Sequence, residues 1–297
     1  MTSSGRGSLY LAAGSFLDLD ASGLIDLAGD LAGDVAGDLA GDMSGTLAGN
    51  GADFAGVGLR LSGEHLVADS RSAVSLRRRL EAVGKRVFDV EVIRVSSGFD
   101  MYSATTLIER AAELGARYVL AVSDLSEPGS GTTAPGSTAA GPSALDRSIE
   151  VFAALQQRAD QAGLSIAVEY MAWTTPSDVA GALKVHQSTG CRIVVDLLHH
   201  ARIGATASDL ELLVRSGAIA WVQLCDAPAE RRASSLVEEA RHGRLVPGTG
   251  GLPLGDFLGV IPSTIDVSIE VQSDDLLSLT AIDRARRLIA ASRELLG

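Results

Sequence analysis

The sequence predicts an α/β protein built as a closed barrel of eight parallel strands wrapped by helices, a (β/α)8 arrangement in a single domain. Three observations carry this. Eight short, β-branched apolar runs recur along the chain, at 9–13, 56–60, 86–95, 118–122, 165–169, 192–196, 220–224 and 266–270. Helical patterns lie between them, and parallel neighbours need such crossovers. Eight is also the strand number that closes a barrel of this kind, and 297 residues suits one with insertions. A doubly wound open sheet is the alternative arrangement of the same elements.

After the first strand the rhythm breaks. Residues 27–50 repeat Leu-Ala-Gly-Asp with small variations. A period of four is too short for a solenoid unit. On a helix it aligns Leu27, Leu31, Val35, Leu39, Met43 and Leu47 into one slowly drifting apolar stripe. Each glycine costs about 1 kcal/mol relative to alanine in a helix interior. The expectation is therefore an elongated or frayed first helix produced by repeat expansion. A calcium-binding repeat is the sharper alternative, although the Gly-Gly-x-Gly-x-Asp period of calcium β-rolls is missing.

The later crossovers follow in order. A helix at 70–83 carries a basic face of Arg77, Arg78 and Arg79, and one at 107–114 precedes the fourth strand. Residues 126–142 are rich in Gly, Ser, Thr, Ala and Pro and read as a flexible loop. Helices at 143–162, 177–188 and 208–214 open on serine, a residue that caps free backbone N–H groups. A helix at 279–296 closes the chain.

Composition narrows the class. Apolar residues make up 46% and charged residues 21%, as in ordinary globular proteins. No apolar run is long enough to span a bilayer. The first residues lack a basic start followed by an apolar stretch, so no secretory signal is expected. The net charge of −12 makes a poor partner for phosphate backbones. Eight aspartates from Asp18 to Asp53 fall in a stretch without Lys or Arg; setting those eight aside from −12 leaves −4. Cys191 and Cys225 make no disulfide framework and no Cys-x-x-Cys pair, which fits a reduced compartment. Lys85 and Lys184 are the only lysines, and neither is placed to form a Schiff base. These features predict a soluble cytoplasmic protein with a small-molecule substrate, no nucleic-acid or membrane partner, and room for a homo-oligomer.

Four later strands share one design. Apolar runs end in Glu169, Asp196, Gln223 and Glu270. In a parallel barrel such ends gather at the C-terminal face, where catalytic residues sit. Three carboxylates brought together repel one another, and a cation removes that difficulty. An all-oxygen donor set suits Mg²⁺ or Mn²⁺ better than Zn²⁺. The bland reading of any one of these acids is a solvated strand end. Arg60 and Glu91, on predicted inner strands, either line the pocket floor or pair with each other. His65, His186 and His242 read as solvated or satisfied histidines. The glycines at 248–251 follow a proline rather than a strand, so no dinucleotide fingerprint is supported.

The segments Ile-Ala-Val-Glu-Tyr-Met, Val-Val-Asp-Leu-Leu-His-His-Ala-Arg, Val-Gln-Leu-Cys-Asp-Ala-Pro, Arg-Leu-Val-Pro-Gly-Thr-Gly and Ile-Glu-Val carry a resemblance. They are similar to the sugar phosphate isomerase/epimerase family, the xylose isomerase-like TIM barrel group that also includes endonuclease IV. The likeness is strongest over 164–271, weaker at 57–60 and 90–94, and absent from the repeats and the 126–142 loop. It implies a divalent metal held by Glu169, Asp196, Gln223 and Glu270. It also implies substrate contacts from His199 and Arg244, whereas His200 reads as packing. Many members carry His at the third position; Gln there resembles the hydroxypyruvate isomerase and 3-dehydroshikimate dehydratase branches. The expected chemistry is proton transfer next to a carbonyl through an enediolate, with Glu169 and Glu270 as the acid/base pair. Proton return gives an isomerase or epimerase; loss of a β-hydroxyl gives a dehydratase. A DNA-repair endonuclease would need a histidine-rich three-zinc site, and the chain has five histidines and the wrong charge. A non-catalytic barrel is disfavoured because all four proposed ligands are intact.

Overall fold

The strands pair in sequence order and close on themselves, β1 against β8, so the open-sheet alternative is excluded. The computed structural model describes residues 7–38, 54–61, 69–125 and 142–297. The expectations for repeat residues 39–50, for His65 and for loop residues 126–141 lie outside the described residues.

All pairings are parallel. The strands are β1 (Leu9–Leu11), β2 (Gly56–Arg60), β3 (Arg86–Val95), β4 (Tyr118–Ser123), β5 (Ser165–Glu169), β6 (Arg192–Asp196), β7 (Ile219–Leu224) and β8 (Asp266–Ile269). The helices are α1 (Ala21–Asp38), α2 (Ser70–Ala82), α3 (Met101–Leu114), α4 (Ala144–Gln161), α5 (Val179–Thr189), α6 (Leu197–Arg202), α7 (Ala207–Ser216), α8 (Leu236–His242), α9 (Leu254–Val260) and α10 (Ala281–Leu296).

Local chemistry sets these boundaries. Asp69, Asp100, Ser143, Asp178, Thr206 and Thr280 cap their helices by accepting backbone N–H bonds. The first helix starts at Ala21 and includes the opening repeats, with Leu24, Leu27, Ala28 and Leu31 buried against the barrel. Strand β1 is shorter than 9–13 predicts, because the chain turns at Ala13 into a 3-10 helix, Ala13–Phe16.

Two apolar layers result. One lies between strands and helices. The other fills the barrel, where Tyr10 stacks on Phe88 at 3.8 Å and Phe88 and Tyr118 meet Trp221 at 5.3 and 5.1 Å. One pleat further along each strand, the inward positions turn polar: Ala167 gives way to Glu169, Val194 to Asp196, and Trp221 to Gln223. The aromatic layer thus floors a polar mouth at the C-terminal end.

Candidate active site at the barrel mouth

Residues from β2, β3, β5, α8 and the segment after β8 line a cavity of about 500 Å³. Asp196 ends β6 and also caps α6: its Oδ1 accepts from the N–H groups of Leu198 and His199 at 2.8 and 3.0 Å. This fixes the carboxylate and points His199 into the mouth. Glu169, Asp196 and His199 each offer a ligand atom within 4.8 Å of the others. Gln223 lies level with Asp196 across the β6–β7 ladder. Its Oε1 is buried and has no hydrogen-bond partner among the described residues. Glu270 stands on the β8 side, where Gln272 Nε2 donates to its Oε1 at 3.1 Å. A Cβ on Gly14 would sit 2.3 Å from that same oxygen, so glycine there leaves room for the Glu270 carboxyl. Ser15 anchors the segment by donating to Ile269 O at 2.9 Å and accepting from Val271 N at 2.8 Å.

Arg244 is fully enclosed and organises the site. Its Nη1 donates to Asp196 Oδ2 at 2.5 Å and to the Glu270 carbonyl at 3.1 Å, and its Nε donates to the Ala240 carbonyl at 2.7 Å. Its Nη2 lies 3.4 Å from His199 Nε2, and Glu169 Oε1 lies 3.6 Å from the same nitrogen. Arg60 and Glu91 fulfil both expectations at once: they line the cavity and pair at 2.7 Å. His200 is structural, bonded to Tyr170 and to the Thr206 carbonyl. His186 Nδ1 faces the Cys191 carbonyl and His242 pairs with Asp274.

The charges are unevenly matched. Burial, then the charges of Glu270 and Asp196, hold the Glu169 carboxyl well above the ordinary range. Burial pushes Glu270 up to about 7, against the pull of Arg244. Burial also opposes ionisation of Asp196, but Arg244 and its hydrogen bonds outweigh it and hold the carboxyl below its usual value. Burial lowers His199 to about 4, so the imidazole is neutral near pH 7. Asp89, deeper in the barrel, is raised by burial and by Glu91. The site thus holds more buried acid than the buried Arg244 and the half-buried Arg60 balance. Together with the orphaned Gln223 oxygen, that excess fits a small divalent cation among oxygen donors.

Sequence reasoning missed Trp173, whose ring packs edge-on against His199 at 5.1 Å, and the cavity residues Arg94 and Arg241. Trp173 and Arg241 lie in loop or short-helix segments with no periodic signal.

The family model for the xylose isomerase-like TIM barrel matches residues 101–295. The chain belongs to this family. No curated protein matches it. Among solved structures it resembles a xylose isomerase-like TIM barrel/4-hydroxyphenylpyruvate dioxygenase fusion protein (18% identity, TM-score 0.73), covering 98% of this chain and 43% of that one. The chain therefore spans less than half the length of that fusion. It also resembles the IOLI protein with a bound zinc atom, at 15% identity and TM-score 0.75, over 97% of this chain and 98% of that one. D-psicose 3-epimerase with D-tagatose, from Clostridium cellulolyticum H10, matches at 12% identity and TM-score 0.66, over 97% and 99%. At these identities the likeness is one of fold.

Proposed function

We propose that the protein is a divalent-metal-dependent isomerase or epimerase of a small sugar or keto acid, working in the cytoplasm. The observation that carries this is the pair Glu169 and Glu270. Both side chains are buried on the cavity, neither carboxylate accepts from a guanidinium among the described residues, and both have raised proton affinity. Raised proton affinity suits a carboxyl group to proton transfer. Glu169, Asp196, Gln223 and Glu270 would hold the metal, with Mg²⁺ or Mn²⁺ matching their oxygens. When bound, the cation polarises a carbonyl and offsets the charge that develops beside it.

The chain's own residues do the rest. One of Glu169 and Glu270 takes a proton from the carbon next to the carbonyl, and the other returns one. Return to the neighbouring carbon isomerises; return to the opposite face epimerises. Neutral His199 and the remaining Nη2–H of Arg244 contact substrate oxygens, with Trp173 and Met171 walling out water. Arg244 also holds Asp196 in register.

The test is a screen of metal-stripped protein against small ketoses, keto acids and 3-dehydroshikimate, with and without Mn²⁺ or Mg²⁺. Metal-dependent interconversion of a ketose or keto acid is expected. A new ultraviolet-absorbing conjugated product would reassign the reaction as a dehydration. Absence of both turnover and a metal-induced melting shift would overturn the proposal.

A further inference from the structure

Resting on the reading of this cavity as the substrate site, we infer that the substrate carries an anionic head group, a carboxylate or a phosphate, received by Arg241 at the rim. The argument starts from partners. Four arginines line the cavity: Arg60, Arg94, Arg241 and Arg244. Arg60 donates to Glu91 at 2.7 Å, Arg94 Nη1 meets both oxygens of Asp124 at 3.0 and 2.7 Å, and Arg244 holds Asp196. Among the described residues, Arg241 is the one of the four that faces no carboxylate.

Its presentation is fixed from behind. Arg241 lies in the last turn of α8. Arg202 clamps that helix, donating from Nε and Nη2 to the two carboxylate oxygens of Glu239 at 2.7 and 2.8 Å, and from Nη2 to the Pro228 carbonyl at 2.6 Å. The neighbouring His242 is already engaged by Asp274 at 3.0 Å. A guanidinium fork matches two oxygens of a carboxylate or phosphate.

Burial then sets the orientation. An anionic group paired with the exposed Arg241 stays at the rim, which leaves the rest of the substrate to reach the buried Glu169 and Glu270. Its reacting carbonyl then faces the two glutamates, with Trp173 and Met171 along the side. The competing reading of Arg241 is a solvated cation that only complements the helix dipole.

Titration of the full chain with D-gluconate, D-fructose 6-phosphate and D-fructose decides between them, read by calorimetry and by tryptophan fluorescence. At least one of the two anions should bind about tenfold tighter than the neutral ketose, as a charge-assisted pair supplies. The stronger of the two identifies the head group. Arg241→Gln should erase that preference; Arg241→Lys should keep part of it. Equal or undetectable binding of all three, or a preference that survives Arg241→Gln, overturns the inference. Repeating the titrations with chelator separates it from the metal reading. If the metal assignment alone is wrong, Mn²⁺ changes nothing while the preference still follows Arg241.

Discussion

Tyr170 Oη lies 2.7 Å from His200 Nδ1 in the protein interior. His200 Nε2 faces the Thr206 carbonyl at 3.0 Å, so it must carry the proton. Nδ1 is then the acceptor and Tyr170 the donor. Tyr170 follows Glu169 at the end of β5, and His200 sits on α6, which Asp196 caps. The bond rivets together the two strand ends that carry Glu169 and Asp196.

Tyr170→Phe removes the donor and leaves Nδ1 buried without a partner. The expected loss is about 1–3 kcal/mol of stability, read as a lower urea midpoint at unchanged m-value. An unaltered midpoint would show that the rivet contributes nothing.

Arg244→Met strips Asp196 of its counter-ion at a site where both side chains are buried. Breaking such a pair costs about 3–5 kcal/mol. Arg244→Lys should recover little, because one ammonium cannot reach Asp196, the Glu270 carbonyl and the Ala240 carbonyl together. The deficit should shrink in acid, where the orphaned Asp196 protonates. Equilibrium denaturation of both variants across pH checks this.

Metal binding should depend on pH with a defined sign. Glu270 titrates at about 7 in the folded chain, against an ordinary value of 4.5. Across that window the folded state keeps a proton that the unfolded state has lost, so this group's contribution to stability falls as pH rises. A cation displaces the proton and compensates the charge. The rise in Tm on adding Mn²⁺ should therefore be larger at pH 8 than at pH 5.5. Equal rises at both would contradict the assignment of Glu270 as a ligand.

Glu270→Gln and Glu169→Gln should uncouple activity from stability. Loss of a general acid or base lowers turnover by about 10²–10⁴. The same changes remove a buried, uncompensated charge, so the metal-free variants should melt higher than the parent at pH 8. A variant that keeps full turnover removes that residue from the proton-transfer pair.

In α1, a Cβ added at Gly29 or Gly33 would meet nothing within 4 Å. Gly29→Ala and Gly33→Ala should each stabilise by about 1 kcal/mol, a rise of a few degrees in Tm by calorimetry. No gain would mean that the helix frays at those positions.

What the sequence made legible follows from length and period. Most strands show as β-branched runs, and the alternating helices leave few topologies open. Helices α6, α8 and α9 escape because six or seven residues hold no measurable period. Helix α3 begins at Met101 rather than 107, since Thr105 and Thr106 dilute its signal while Asp100 caps it. Glu169, Asp196 and Gln223 can be read as strand ends because their positions are set by local pattern. That Asp196 also pairs with Arg244 cannot, because the bond spans 48 residues of chain. Arg241 is hidden for the same reason: only the return of α8 to the mouth separates it from other surface cations.

Among the described residues, the packed rings of Tyr10, Phe88, Tyr118 and Trp221 floor the cavity and leave its mouth as the doorway. On the proposed function, a product must back out along the route by which its substrate arrived. Each departing product therefore obstructs the next arrival, and clearing the threshold beside Arg241 and His242 becomes a step that can pace the whole cycle.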